Sequence, residues 1–258
     1  MDTLRGDPNF PRSVSDMAGS AVWSRLQGLL ATNQHVVIAG EAGVGKSCAA
    51  RLLLAGHIGL WFRCSADPSL RDGRDRIKEA ARRRGPAGTV NWIVLEHADL
   101  LLADAQAFLR RVIETAVGST RFLLEVRDLG AVTEPLLSRT VLFNVPPLLD
   151  YEVRAEILRR VPALGLPAAS RLATQAGGNV RWAVLQALGG GDGFLDATLT
   201  ESDVTDWPAM LAFMEKLQQT GSSPRAYLGD QVTAETWDRP GGACPWAILA
   251  ATLAADLS

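Results

Sequence analysis

Gly40-Glu41-Ala42-Gly43-Val44-Gly45-Lys46-Ser47 is the stretch that decides the fold of this chain. It satisfies G-x-x-x-x-G-K-[ST], the pattern of a loop that surrounds phosphate with backbone N–H groups. Its flanks supply the context the pattern needs. Val36-Val37-Ile38-Ala39 before it is apolar and β-branched, as a buried strand is. Cys48-Ala49-Ala50-Arg51-Leu52-Leu53-Leu54 after it opens a helix. In that order the glycines let N–H groups point at phosphate oxygens, and the helix N-terminus adds its positive end. Lys46 would reach the β- and γ-phosphates, and the Ser47 hydroxyl would take one position on Mg²⁺.

Working outward, 258 residues give room for a sizeable core and more than one domain. The chain is 47% hydrophobic and 21% charged, the balance of a globular protein that needs no membrane. A net charge of −2 excludes global basicity, so any DNA contact has to come from a local patch. Cys48, Cys64 and Cys244 are far apart and form no C-x-x-C pair, which indicates neither a zinc ribbon nor a disulfide framework. Met1 to Pro8 does not read as a signal peptide. Trp246 to Leu257 is apolar but shorter than the ~20 residues that span a bilayer. The expectation is a protein that is not secreted and makes no membrane contact.

Strand and helix patterns alternate up to Pro147. Gly59-Leu60-Trp61-Phe62, Trp92-Ile93-Val94-Leu95, Arg121-Phe122-Leu123-Leu124-Glu125-Val126 and Val141-Leu142-Phe143 are further strand candidates. Ala21 to Leu30 and Leu100 to Val117 carry apolar residues at helical spacing. A basic stretch, Arg71 to Arg84, has acids mixed in and ends at Gly85-Pro86-Ala87-Gly88. The alternation predicts an α/β fold, a parallel sheet with helices on both faces. Past Pro147 only helices are expected: Asp150 to Val161, Ala168 to Ala176, Val180 to Leu188, then, beyond the linker Gly189-Gly190-Gly191-Asp192-Gly193, Asp206 to Gln219, Pro224 to Leu228 and Trp246 to Leu257.

Five blocks, in order, resemble the small subunits of replication factor C, the AAA+ clamp loader. They are the loop itself; Val94 to Leu101, which looks like the family's Walker B stretch; Asp104-Ala105-Gln106-Ala107-Phe108-Leu109-Arg110-Arg111, close to "DAQxALRR"; Arg121-Phe122-Leu123-Leu124 with Glu134-Pro135-Leu136-Leu137-Ser138-Arg139-Thr140, similar to "RFIL…EPLxSRC"; and Gly178-Asn179-Val180-Arg181-Trp182-Ala183, similar to "GDxRxA". The tail from Asp206 to Arg225 resembles the collar of the non-catalytic type of small subunit. The resemblance implies an AAA+ core over residues 1–147, a three-helix lid over 148–193 and a helical collar over 194–258. It implies ATP and Mg²⁺ as ligands, held by Gly40, Glu41, Ala42, Gly43, Val44, Gly45, Lys46 and Ser47.

The resemblance also assigns roles residue by residue. Glu96 and His97 stand where the family has an Asp-Glu pair for Mg²⁺ and for the attacking water. Glu96 keeps the charge; His97 is either a base near neutral pH or the mark of a site that does not hydrolyse. Asp99 is expected to cap the next helix. Arg127 stands at the asparagine of sensor 1, and Arg181 at the γ-phosphate-sensing arginine of the lid. Arg139 matches the arginine that enters the neighbouring subunit's ATP site. Of the W-V-E-K-Y-R-P segment with which the family wraps adenine the chain offers only Phe10-Pro11-Arg12, and Asp16-Met17-Ala18-Gly19 resembles the D-x-x-G that follows it, so the resemblance does not extend to adenine selectivity. Implied partners are other clamp-loader subunits, a PCNA-like sliding clamp and primer-template DNA bound without sequence preference, Arg71 to Arg84 and Arg110-Arg111 being the candidate contacts. The implied location is the nucleus, or else the cytoplasm. Two other readings are an autonomous AAA+ ATPase using His97 as base and a structural ring subunit that holds no nucleotide.

Overall fold

All five apolar runs become strands of one parallel sheet in the computed structural model, which describes residues 11–83, 89–116, 118–189, 207–211, 214 and 249–251. The strands are β1 (Val36–Ala39), β2 (Gly59–Arg63), β3 (Asn91–Glu96), β4 (Thr120–Val126) and β5 (Val141–Asn144). Their order across the sheet is β2-β3-β4-β1-β5. Strands β1 and β3 are buried throughout, which a parallel sheet achieves only with helices on both faces.

Side chains alternate between those faces. Val37, Ala39, Ile93, Leu95, Phe122 and Leu124 form one layer with α3 (Arg74–Arg82) and α4 (Ala103–Thr115). Val36, Ile38, Trp92, Val94 and Leu123 form the other with α1 (Ser20–Leu30) and α2 (Lys46–Leu53). Helix α4 buries Ala105, Phe108, Leu109, Val112 and Ile113, a stripe at i, i+3, i+4, i+7 and i+8. It starts later than the sequence suggests. Leu100 and Leu102 are exposed, so they lie outside that stripe. Residues Ala98–Leu100 make a 3₁₀ turn instead, and the extended backbone of Leu102 donates its N–H to Pro68 O at 3.0 Å. Asp99 therefore sits within that turn and does not cap α4, whose N-cap is Leu102.

The stretch Asp16-Met17-Ala18-Gly19 has a structural use. Asp16 accepts N–H bonds from Arg12 and Ser13, and Gly19 takes the left-handed conformation (φ +67°) that opens α1. The buried Trp23 of α1 donates its indole N–H to Ala18 O at 2.9 Å.

The chain divides into two compact units, one over Pro11–Val145 and a second from Pro146 onward. The first unit ends with the short α5 (Glu134–Leu137) and β5; in the second, α6 (Asp150–Arg160), α7 (Leu166–Ala176) and α8 (Val180–Leu188) pack on one another. The Gly178-Asn179 block has a local reason here. Gly178 has φ +91°, and a Cβ there would come within 3.0 Å of Leu148 N. Asn179 caps α8 by accepting the Trp182 N–H at 3.0 Å. Most of the expected collar, including residues 215–248, the linker residues Gly190–Gly193 and the segment 84–88 lie outside the described residues. No helix among the described residues is long and apolar enough to cross a membrane.

His35 lies just before β1 and ties it to β4. Its Nδ1 accepts the Phe122 N–H at 3.1 Å, and its carbonyl accepts the Val141 N–H at 2.8 Å. Burial, with Arg121 adding to it, pushes the imidazole down to about 4. The unfolded chain therefore takes up a proton that the folded chain refuses, so this contribution is complete above about pH 6.5 and lost as pH falls towards about 4. The urea midpoint should fall over that window. His35→Asn, whose amide oxygen still accepts the Phe122 N–H, should flatten the fall; an identical pH profile in the variant would contradict the assignment.

Candidate nucleotide-binding site

In a parallel sheet all strands end on the same edge, and the candidate residues gather there. Gly40 follows β1, Glu96 ends β3 and Arg127 follows β4. Ala39 is registered with Val126 on one side and Asn144 on the other. Gly40 N–H donates to Val126 O, and Val145 N–H donates to Ala39 O at 2.7 Å, which pins the loop entrance between its neighbours. A Cβ on Gly40 would lie 2.9 Å from Val145 O, so only glycine fits.

The loop itself turns through Gly43 (φ +78°) and Gly45 (φ +110°), values open to glycine. Val44 is buried in the layer beneath, with Met17 and Trp23, while Glu41 is half-buried and Ala42 exposed. Lys46 is 8% exposed, and its Nζ donates to Gly40 O at 2.6 Å and Glu41 O at 2.7 Å. Burial brings the Lys46 amine down to about 8, with the Glu125 carboxylate opposing and Arg127 adding. The ammonium is thus held at the loop's own carbonyls, where a phosphate would meet it.

Two carboxylates stand beside the loop. Leu95 of β3 is registered with Leu124 of β4, so Glu96 and Glu125 are the next pair along. Alternation puts both on the face shared with α2. Each is almost fully buried, but they are compensated differently. Glu96 Oε1 pairs with Arg51 of α2 at 2.5 Å, and Oε2 with Arg63 of β2 at 3.5 Å. The Arg51 guanidinium also lies over the Trp61 ring, 5.6 Å from its centre. Glu125 Oε2 accepts the Ser47 hydroxyl at 2.5 Å, whereas its Oε1 has no hydrogen-bond partner. Burial pushes Glu125 up to about 7, against the Ser47 hydrogen bond and with Glu96 reinforcing the rise. Glu125 is the residue that motif reasoning passes over. Its signal is a lone acid between Leu124 and Val126 in an otherwise apolar strand.

His97 and Arg127, expected at the positions of a base and a sensor, touch each other. The His97 Nδ1 lies 3.1 Å from the Arg127 guanidinium. A guanidinium only donates, so Nδ1 is the acceptor and the neutral ring carries its proton on Nε2. Burial, followed by Arg127, lowers the His97 pKa, which favours the neutral ring. His97 adopts φ +58°, a backbone strain uncommon outside glycine.

Arg139 is elsewhere. It immediately precedes Thr140 and β5, and β5 runs parallel to β1, so Arg139 lies at the sheet edge opposite the phosphate loop. Helix α4 holds it there. Glu114 accepts from Arg139 Nε at 2.7 Å and pairs with Nη2, while Nη1 donates to Pro135 O at 2.6 Å. The buried Gln106 of α4 fixes the approach, bonding Leu101 O, Ala131 O and the Thr133 N–H. Arg181 is exposed on α8, in the second unit. Part of the basic stretch is paired with acids: Lys78 with Asp75 and Arg83 with Glu79 within it, and Arg74 with Asp104 of α4. Among the described residues no group of three or more His, Cys, Asp or Glu is placed to hold a metal. A magnesium ion here would rest on one or two carboxylates, the Ser47 hydroxyl and phosphate.

The chain is related in sequence to replication factor C small subunits. It is 35% identical over 164 residues to that of Methanoculleus marisnigri, covering 59% of this chain and 51% of the relative. With that of Halobacterium salinarum it shares 29% identity over 242 residues, 86% of this chain and 75% of the relative. The chain spans about half the length of most of the curated relatives it matches. No protein-family model matches it. Among solved structures, RuvB of Thermotoga maritima, a Holliday junction branch migration motor, matches with a TM-score of 0.57 at 18% identity, over 81% of this chain and 73% of that one. A RuvB variant reaches 0.62 at 15% identity, over 94% and 91%. At such identities the likeness speaks for the fold alone, a five-stranded parallel α/β core.

The loop geometry sets a stability test. A Cβ on Gly45 would meet Met17 Cε at 2.9 Å and Trp23 at 3.3 Å, besides the strained φ. Gly45→Ala should destabilise the chain by about 1–3 kcal/mol and weaken nucleotide binding. Gly28→Ala on the exposed face of α1, with no atom within 4 Å, should stabilise it by about 0.5–1 kcal/mol. Thermal melts of the two variants should move in opposite directions.

Proposed function

From this kinship with replication factor C small subunits, we propose that the chain is an ATP-holding subunit of a clamp-loader ring. Its own site hydrolyses little, and its Arg139 acts in the site of a neighbour. The contact between His97 and Arg127 carries the first half of this reading. With Nδ1 accepting from the guanidinium and Nε2 protonated, the ring has no lone pair left to take a proton from water. The phosphate-binding side is intact: loop amides, the α2 N-terminus, Lys46 and Ser47. Such a site retains ATP as a structural ligand, and ATP then favours whichever assembled state it binds more tightly.

The position of Arg139 supports the second half. An arginine at the far edge of the sheet cannot reach its own chain's loop, but it can face the loop of an adjacent subunit. There it would stabilise the charge of the transferring phosphoryl group. Arg181 would contact the γ-phosphate from the lid, residues 148–193, and the collar, residues 194–258, would join neighbouring subunits. The assembly would open a sliding clamp and set it on primer-template DNA, following phosphates without reading bases.

Three measurements test this. The isolated chain should bind ATP, and Lys46→Ala should weaken that binding at least tenfold; unchanged binding in the variant would favour a structural subunit that needs no nucleotide. ATP turnover by the isolated chain should be negligible. Steady turnover that disappears in His97→Ala would instead make the chain an autonomous ATPase. Arg139→Ala should leave ATP binding by this chain intact and slow hydrolysis at the adjoining site on the order of a thousandfold. An unchanged rate in the assembled complex would remove the in-trans role.

A further inference from the structure

We infer that the carboxylate serving nucleotide-bound magnesium in this chain is Glu125 on β4, and that Glu96 on β3 serves instead as the anchor of two arginines. The inference rests on the nucleotide-holding reading above and names the metal ligand of that same site. Glu96 has both oxygens engaged, Oε1 with Arg51 and Oε2 with Arg63. A divalent cation brought to that carboxylate would meet two guanidinium groups within a few ångströms, and like charges at that separation repel.

Glu125 has the opposite environment. It is 3% exposed, and its Oε2 already holds the hydroxyl of Ser47, the loop residue that the motif assigns to Mg²⁺. Its Oε1 is buried and has no hydrogen-bond partner. Lys46 and Arg51 lie near enough to act on its charge, but among the described residues no arginine or lysine is in an ion pair with it. A buried carboxylate with one free oxygen is costly unless a cation or a proton completes it. Magnesium asks for the set found here: a hydroxyl, one carboxylate, and phosphate oxygens with water for the rest. Strand register makes the exchange geometrically small. Glu96 and Glu125 are neighbours on adjacent strands, about 4.8 Å apart along the hydrogen-bonding direction. Moving the metal carboxylate from β3 to β4 therefore shifts it by one strand and keeps it under α2, on the side of Ser47.

The test compares ATP affinity with Mg²⁺ and with EDTA in the full chain. The wild type should bind ATP more tightly with Mg²⁺, and Glu125→Gln, which keeps size and hydrogen-bonding capacity but removes the charge, should lose that gain at least tenfold. Electron paramagnetic resonance of Mn²⁺ with ATP gives a second readout: one protein-bound Mn²⁺ per wild-type chain, and none in Glu125→Gln. Should Glu125→Gln fail to fold by circular dichroism, Glu125→Asp decides. A gain reduced threefold or more supports the assignment, and an unchanged gain overturns it. A Mg²⁺ gain that persists in Glu125→Gln and vanishes in Glu96→Gln puts the metal on β3 and also overturns it. If the wild-type chain binds no ATP in either condition, the nucleotide-holding reading fails and this assignment falls with it. If it binds ATP and Glu125→Gln behaves as wild type, the assignment alone fails.

Discussion

Two carboxylates side by side under one helix are the constraint around which this site is arranged. Glu96 and Glu125 sit on adjacent strands, buried, at the edge where the phosphate loop leaves the sheet. Two like charges at that spacing in a low-dielectric layer cannot both stay ionised without help. Arg51 reaches from α2 and Arg63 from the edge strand to neutralise the first. Ser47 donates to the second. Helix α2 is therefore joined to the sheet by charge as well as by Ala49 and Ala50, and the loop that precedes it inherits that fixed position.

The polarity of the parallel sheet then sorts the remaining candidate side chains. Strand ends carry the phosphate loop, the carboxylates, His97 and Arg127; the opposite edge carries Arg139. Helix α4 bridges the two edges. Its buried stripe holds the sheet, Gln106 fixes the segment after β4, and Glu114 holds the Arg139 guanidinium. The pairing of Glu114 with Arg139 is charge-assisted and holds the guanidinium in one orientation.

His97 and Arg127 are thirty residues apart in the sequence. In the fold they are one contact. The guanidinium of one donates to the imidazole of the other, so the two side chains fix each other's orientation. The left-handed backbone of His97 is the conformational cost of placing its ring there.

Much of this was legible in the residues. The phosphate loop, five parallel strands and the three helices after Pro146 follow from hydrophobic period, glycine placement and the alternation of element types, because each is set by local sequence. The Gly178-Asn179 block was legible as a resemblance, and its cause, a close backbone approach and a helix cap, is local too. The start of α4 was less so, since Leu100 and Leu102 match the helical period but their backbone is drawn to Pro68 from a distant loop. The pairing of carboxylates with cations was decided only in three dimensions. Nothing in the sequence order says that Arg51 and Arg63 close on Glu96, or that Glu125 meets Ser47 across 78 positions. Those contacts come from strand register and from which face of the sheet α2 covers. A period-two pattern states that a side chain is buried, while the neighbour it is buried against is chosen by the packing of whole elements.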